Sequence, residues 1–299
     1  MSHNFKRTTF TIIASILMMG PYSIALAQDM GPKTTIAYTT AKSQMDASNY
    51  KEAIKTIVTA QTAGEDNFQI NQLLVESYNE RINQVGMLKK RRLAKKMKSA
   101  MKHSLQLDPS SIQAMENLIE FHIQAPSIVG GDKAKAETLI ADLAKRDAFK
   151  GHLFSARLAV VNEDMAALQS NLEAANALKP GDAEIMMMQG RAYNEQKNYA
   201  AAIATYEACT KSYPDHMQCR YQLGRSAQIG DIEHDKGKAA FTFFIENETE
   251  NKNLLAYAHY RLGNLYAQTN NETVARKHYE TAVEIDDLKD ARKAITKLK

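Results

Sequence analysis

The residues that could carry chemistry in this chain are few and widely spaced. Cys209, His216 and Cys219 lie close together in sequence, and thiolate and imidazole groups are ligands that zinc prefers. Three such residues without a second pair at metal-binding spacing are a weak signal, and the other histidines are scattered. No His-Glu-x-x-His and no Gly-x-Ser-x-Gly sequence occurs. We therefore expect no catalytic residue, no metal site and no cofactor.

A Gly-Gly-Asp-Lys sequence at residues 130–133 has some features of a phosphate-binding loop. It lacks the Gly-Lys-Ser or Gly-Lys-Thr ending of such loops, and no strand pattern precedes it. We predict instead an extended connection between two helices. Asp132 is then expected to cap the helix that follows.

Residues 81–107 have the most unusual composition in the chain, with nine Lys or Arg and no Asp or Glu. An apolar stripe that includes Met97 and Met101 predicts a helix with one buried face. The opposite face is either an ordinary solvated surface or a binding site for anionic groups, including lipid headgroups. The candidates for the second role are Lys89, Lys90, Arg91, Arg92, Lys95, Lys96, Lys98 and Lys102. No aromatic or Gly-rich readout element accompanies them, so we expect no nucleic acid partner.

These residues must be positioned by helices, since the composition lacks the turn density of an all-β protein and the clearest pattern is helical. Residues 183–216 predict two helices joined by a turn, and Pro214 ends the second because proline cannot continue a helix. Each helix has a regular stripe of small or apolar residues: Met186, Gly190 and Tyr193 on the first, and Ala202, Tyr206 and Cys209 on the second. One such hairpin cannot bury both faces, so it must stack on others.

This spacing resembles the tetratricopeptide repeat, which has a period of 34 residues. Its six signature positions are occupied here by Gly190, Tyr193, Ala202, Tyr206, Cys209 and Pro214. Gly224 lies 34 residues beyond Gly190, and Gly263 lies 39 residues beyond Gly224. The resemblance implies an all-α, right-handed solenoid of about seven helical hairpins in a single domain, residues 28–299. We place the repeats near residues 34–67, 68–111, 112–148, 149–182, 183–216, 217–255 and 256–289, with a capping helix at 290–299.

Residues 1–27 resemble a secretory signal peptide. Lys6 and Arg7 form its charged region, an apolar stretch follows, and Ala25-Leu26-Ala27 is a small-x-small cleavage site. The alternative, a retained anchor, is disfavoured because Gly20-Pro21 interrupts the apolar stretch well short of the roughly 20 residues that a membrane span needs. We therefore expect an exported protein of the periplasm without a stable transmembrane anchor.

Export also bears on the two cysteines. Cys209 is predicted on the second helix of one repeat, and Cys219 on the first helix of the next. These elements are expected to pack together, and an oxidising compartment favours a disulfide between them. Two buried free thiols are the alternative.

In the tetratricopeptide repeat family, positions 2, 5, 9 and 12 of each first helix line a concave groove. Position 9 is an arginine in three successive repeats of this chain, and guanidinium groups bind carboxylates in a bidentate manner. The resemblance thus implies these binding candidates: Arg157, Arg191, Asn194, Tyr221, Arg225, Tyr260 and Asn264. The alternative is that the arginines pair with nearby acids such as Glu184 and Glu195.

The resemblance implies a non-enzymatic scaffold of the cell envelope that binds an unidentified, acidic peptide or protein segment along the groove. A different function, in which the basic residues 81–107 bind an anionic envelope surface, stays open at this point. The sequence specifies neither the partner, nor the biological process, nor the oligomeric state.

Overall fold

The computed structural model describes residues 30–248 and 251–298. In this part of the chain it contains fifteen α-helices, one short 3-10 helix and no strand, as the helical periodicity predicts. The helices form two compact units that meet in sequence at Asp164 and Met165. The predicted signal peptide, residues 1–27, lies outside the described residues.

Unit 1 consists of three helical hairpins followed by one further helix. Its helices are α1 (Pro32–Asp46), α2 (Tyr50–Thr62), α3 (Phe68–Asn83), α4 (Met87–Leu107), α5 (Ile112–Gln124), α6 (Lys133–Arg146) and α7 (Ala148–Val161), with a 3-10 helix at Ser127–Val129. Each of the first six helices packs against its neighbour in sequence. The core of the first two hairpins is apolar and continuous, and it includes Ile57, Ile70 and Met97.

Unit 2 begins with one helix, continues with three hairpins and ends with a short helix. Its helices are α8 (Met165–Leu178), α9 (Ala183–Glu195), α10 (Tyr199–Ser212), α11 (Met217–Gly230), α12 (His234–Asn247), α13 (Lys252–Gln268), α14 (Glu272–Asp286) and α15 (Lys289–Ile295). Helix α15 is the last helix of the unit and packs on α14.

Polar side chains fix where many of these helices begin. Asn67, Ser111 and Asp182, for example, each accept a hydrogen bond from a backbone N–H in the first turn of the helix that follows. Asp132 does the same for α6, accepting from the Lys135 N–H at 3.2 Å. Such bonds satisfy donors that have no partner within the helix. The predicted role of Asp132 as a helix cap is thereby confirmed.

One turn conformation recurs at five connections between successive helices. The fifteenth residue of each regular repeat lies in the left-handed region, with φ between 54° and 58°: Ser48, Glu163, Lys197, Asp231 and Asn270. These residues are not glycine, and the conformation is strained for most side chains. Its recurrence at one repeat position shows that the repeats share one register.

In unit 2, a glycine on the first helix of each hairpin faces an aromatic ring on the second. A Cβ atom built on Gly190 would lie 2.4 Å from Cζ of Tyr206, and one on Gly224 would lie 2.8 Å from the Phe241 ring. Gly263 meets Tyr279 in the same way, at 2.6 Å. These rings are almost completely buried. The lack of a side chain at these glycines therefore allows the two helices of each hairpin to approach.

The extra residues of the second repeat lie within its helices. The second repeat, residues 68–111, is about ten residues longer than the period of 34, and its length alone predicts that the surplus separates the two helices. This prediction was wrong: α3 and α4 have 16 and 21 residues and are joined by a short turn at residues 84–86. Lys, Arg, Leu, Met and Ala, which dominate residues 87–107, all favour helix, so the segment extends α4 instead of forming a loop.

We expect the replacement Gly190→Val to lower the free energy of unfolding by roughly 1–3 kcal/mol, because its side chain must displace the buried Tyr206 ring. Chemical denaturation monitored by circular dichroism measures the change. The control is Gly31→Val, since no atom lies within 4 Å of a Cβ at Gly31. Equal stability of the Gly190→Val variant and the wild type would contradict the proposed contact.

Candidate functional site

The strongest candidate site lies on the first helices of the hairpins in unit 2. Arg191 on α9 is exposed, and Arg225 on α11 is partly exposed. Among the described residues, no carboxylate lies within ion-pair distance of either guanidinium group, although lysines such as Lys211 and Lys236 do form such pairs. The two arginines thus present positive charge that no acidic side chain neutralises.

Both arginines act on the same buried tyrosine. Tyr206 on α10 is fully buried, and its hydroxyl lies 3.5 Å from the carbonyl oxygen of Met187. Burial raises the pKa of Tyr206 to about 12, while the positive charges of Arg191 and Arg225 act in the opposite direction. The two arginines hold the same repeat position on successive first helices, Arg191 on α9 and Arg225 on α11.

Asn194 and Tyr221 are placed differently. Both are 7% exposed, so they offer little surface to a partner. The Asn194 side-chain amide donates to Ser226 Oγ at 2.9 Å and so joins α9 to α11. Its Oδ1 atom is buried and has no hydrogen-bond partner in the structure. These two residues therefore support the spacing of the first helices, and their contact with a partner stays a prediction.

Tyr221 belongs to a second connection, between α11 and α13. Arg261 donates from Nε to the Tyr221 hydroxyl at 3.3 Å and from Nη1 to Gln228 Oε1 at 2.8 Å. Arg261 lies outside the groove positions of the repeat, so the repeat pattern gives no sign of its role. Its long side chain nevertheless crosses to the preceding repeat and binds residues at two of those positions.

Tyr260 and Asn264 lie together on α13, beside Tyr279 of α14. The Tyr279 hydroxyl donates to Asn264 Oδ1 at 2.8 Å, and the rings of Tyr260 and Tyr279 are 5.9 Å apart. Tyr279 is almost fully buried, and burial raises its pKa to about 12. Asn264 thus accepts the hydrogen bond of a buried hydroxyl group, while Tyr260 stays partly exposed.

Arg157, the third arginine of the predicted series, belongs to α7 of unit 1. Its Nη1 atom lies 2.9 Å from Oε2 of Glu120, which is 5% exposed, and its guanidinium group lies 4.8 Å from the centre of the Phe154 ring. For Arg157 the structure therefore shows pairing with an acid, although that acid is neither Glu184 nor Glu195. Within unit 2, Arg191 and Arg225 remain as the unpaired members of the series.

The basic residues of the second repeat lie on α4. Lys89, Arg91, Arg92, Lys95, Lys96 and Lys102 are exposed, whereas Lys90 and Lys98 are partly buried. Lys98 donates to the carbonyl oxygen of Gly130 at 2.5 Å, and its ammonium group lies 5.9 Å from the centre of the Phe121 ring. Burial and the nearby charges of Lys102 and Lys135 lower the pKa of Lys98. Lys98 therefore anchors the loop after α5, and the other basic residues of α4 do not share this contact.

Cys209 and Cys219 form a disulfide that joins α10 to α11, with their Cα atoms 6.0 Å apart. Both residues are fully buried. His216 between them caps α11, its Nδ1 accepting from the Cys219 N–H at 3.4 Å. The disulfide engages both sulfur atoms, so they are not available as metal ligands. Nor do any three His, Cys, Asp or Glu residues in the described ranges form a group that could hold a metal ion.

The backbone donors of the 130–133 loop are already used within the chain. The N–H groups of Gly130, Gly131 and Asp132 donate to the carbonyl oxygens of Ser127, Pro126 and His122. These N–H groups are therefore not free to cradle a phosphate group.

Burial identifies the small residue of α6 that packs in the core. Ala136 is fully buried and Ala134 is exposed, so Ala136 takes the small position of the repeat.

A pair of histidines was not expected from the sequence. Nδ1 of His259 on α13 and Nδ1 of His278 on α14 are 3.1 Å apart, and burial together with the neighbouring His278 lowers the pKa of His259 to about 4. The two residues hold positions 4 and 23 of their repeat. A search for histidines at repeat positions that face each other across a hairpin could have found them.

Comparison with known proteins fits this geometry. One tetratricopeptide repeat model matches residues 184–216, and a second matches residues 256–289. These ranges contain the two hairpins in which the glycine and the aromatic residue occur at the expected spacing. The chain contains tetratricopeptide repeats.

Solved structures show the same fold at low sequence identity. A tetratricopeptide repeat protein from Parabacteroides merdae is 11% identical, with a TM-score of 0.57 over 90% of this chain and 99% of the other. A monomeric mutant of IFIT1 with a capped RNA is 14% identical, with a TM-score of 0.60 over 88% of this chain and 61% of the other. The Cut9-Hcn1 assembly of the APC/C is 12% identical, with a TM-score of 0.54 over 88% of this chain and 55% of the other.

These likenesses establish an all-α tetratricopeptide repeat solenoid, as the resemblance implied. No curated protein matches this tetratricopeptide repeat protein in sequence. Proteins of this fold are in general protein-interaction scaffolds, so a protein or peptide is the class of partner that the fold indicates. In the described part of the chain, no helix has the length and hydropathy needed to cross a membrane.

The buried Tyr206 gives a testable pH dependence. Its pKa is near 10 in the unfolded chain and about 12 in the folded protein, so folding favours the protonated phenol. The resulting stabilisation is complete below pH 10 and is lost as the pH rises towards 12. It is at most roughly 3 kcal/mol, because each pKa unit of difference corresponds to about 1.4 kcal/mol.

We therefore expect the variant Tyr206→Phe to lose less stability between pH 10 and 12 than the wild type does. Denaturation midpoints measured at several pH values test this, and the difference between the two proteins removes the contribution of the lysines, which titrate in the same range. Identical pH dependence of the two proteins would contradict the burial of a titrating Tyr206.

Proposed function

We propose that the protein is a non-enzymatic adaptor that binds an acidic peptide segment on the first-helix face of unit 2, through Arg191 and Arg225. The observation that carries this proposal is that Arg191 and Arg225 lie on successive first helices that a hydrogen bond between Asn194 and Ser226 joins at 2.9 Å, and that neither arginine pairs with a carboxylate of the described chain. Guanidinium groups form bidentate hydrogen bonds with carboxylates. A segment with Asp or Glu side chains, or a free C-terminus, supplies the complementary charge.

The surroundings of the two arginines support a preformed site. The hydrogen bond between Asn194 and Ser226 fixes α9 against α11, and the disulfide between Cys209 and Cys219 fixes α10 against α11. The helices that carry Arg191 and Arg225 are thus held before any partner arrives. A rigid site loses less conformational entropy on binding than a mobile one.

We propose further that the protein is exported to the periplasm and acts in the cell envelope. Two observations support this: the signal-like residues 1–27, and the buried disulfide, since disulfides persist mainly in oxidising compartments.

Selection from a random peptide library with free C-termini tests the binding proposal. Wild-type protein is the bait, and the double variant Arg191→Glu with Arg225→Glu removes peptides that bind elsewhere. We expect the selected peptides to be rich in Asp and Glu. Their affinity, measured by fluorescence anisotropy, should fall at least tenfold in the double variant, a loss of about 1.4 kcal/mol or more.

The matched control is Lys252→Glu with Lys277→Glu, which makes the same change in net charge on exposed lysines of unit 2. Circular dichroism confirms that each variant keeps its helices. An equal loss of affinity in the control, or no loss in the double arginine variant, would contradict the proposed site.

The export proposal has a separate test. We expect the chain expressed in a Gram-negative host to appear in the periplasmic fraction, with Gln28 at its N-terminus and with the mass of the oxidised form. Mass spectrometry of the intact protein measures both properties. Recovery of an uncleaved, reduced chain from the cytoplasm would contradict export.

A further inference from the structure

The outer face of α4 has the densest positive charge in the described chain. We call its six exposed basic residues the basic face: Lys89, Arg91, Arg92, Lys95, Lys96 and Lys102. No carboxylate of the described residues forms an ion pair with any of them, whereas Lys42, Lys150 and Arg157 of the same unit do form such pairs. The basic face therefore attracts an external anion more strongly than a surface of mixed charge does.

The basic face lies opposite the buried side of the helix. Ala94, Met97 and Met101 turn into the core of unit 1. Arg92, Lys95 and Lys102 are spaced three and seven residues apart, which puts them on one stripe of the opposite side. With 21 residues the helix is about 32 Å long, so the stripe is an extended line of charge.

An exposed apolar group adjoins the basic face at the first turn of α4. Leu88 is 81% exposed and Met87 is 48% exposed. Ile128, 56% exposed, lies on the 3-10 helix that packs against α4. Leu88 also lies four residues before Arg92, on the same stripe. A solvated charged surface accounts for the lysines, but it does not account for a leucine that is almost fully exposed at their end.

An apolar cleft lies beside the same turn. Its lining includes Met87, Ala94 and Val129, with Lys90 and Arg91 among the lining residues as well. Apolar side chains, an apolar cleft and unpaired cations thus occur within the first two turns of one helix. A bilayer interface binds both cationic and apolar groups, because its headgroups carry anionic charge and its acyl chains accept apolar groups.

We propose that the basic face of α4 docks on a membrane surface that contains anionic phospholipid, with Leu88 and Met87 entering the headgroup region. An acidic polypeptide satisfies the cations equally well, but it gives no reason for the exposed Leu88. This docking surface belongs to unit 1 and is independent of the peptide site proposed for unit 2. It gives the adaptor a second attachment, to lipid.

Co-sedimentation of the full chain with vesicles tests the proposal. The vesicles are made of phosphatidylcholine alone, or with about 30% phosphatidylglycerol, a content high enough to give a clear negative surface potential. We expect binding only to the second kind, and weaker binding as the salt concentration rises from about 0.05 to about 0.5 M, because salt screens exposed charges. Residues 1–27 are the same in every protein tested, so they cannot account for a difference between variants.

Two variants and two matched controls locate the surface. The triple variant Arg92→Glu, Lys95→Glu and Lys96→Glu is expected to bind at least tenfold more weakly, and Leu88→Ser severalfold more weakly. The first control places the same charge change on unit 2, as Lys252→Glu, Lys277→Glu and Lys289→Glu. The second, Leu178→Ser, alters another exposed leucine, which is 51% exposed. Both controls should bind as the wild type does.

Four results would overturn the proposal. The first is equal binding to both kinds of vesicle, and the second is an equal loss of binding in the triple variant and its control. The third is displacement from vesicles by inorganic phosphate at constant ionic strength, which would indicate a site for a single phosphate group. The fourth is binding to polyglutamate without binding to anionic vesicles, which would make the partner of the basic face an acidic polypeptide.

Discussion

The contact between a glycine on one helix and an aromatic ring on the next determines the geometry of the three hairpins of unit 2. Gly190 against Tyr206, Gly224 against Phe241 and Gly263 against Tyr279 all bring a backbone within van der Waals reach of a ring. Because these rings are buried and cannot move aside, the helix spacing follows from them. Repeating one contact produces hairpins of one shape, which is the condition for regular stacking.

The same contact orients the proposed binding residues. Arg191 directly follows Gly190, and Arg225 directly follows Gly224, so each arginine leaves its helix at a fixed angle from the face that packs on the ring. Because Gly190 and Gly224 hold the same repeat position, the two arginines leave successive first helices in the same register.

The fold was largely predictable from the sequence, because the same packing contact occurs in several repeats. The glycine and aromatic positions, the helix cap at Asp132 and the short final helix all follow from local rules. The site was less predictable. The pairing of Arg157 with Glu120 and the burial of Asn194 depend on side chains that meet across helices, for which the repeat pattern specifies a position but no partner. The apolar stripe did predict a helix within residues 81–107, but the extra residues of the second repeat were expected between its helices. A count of repeat length says where extra residues fall, and not whether they lengthen a helix.

The most direct test of the central claim is to observe the guanidinium groups themselves. In a protein labelled with nitrogen-15 at arginine, the Nε–H signals of Arg191 and Arg225 can be followed while a selected acidic peptide is added. The account predicts that both signals shift together and reach saturation at the same peptide concentration, while the signal of Arg261, held by Tyr221 and Gln228, changes little. Saturation of binding with no change at Arg191 and Arg225 would contradict the account.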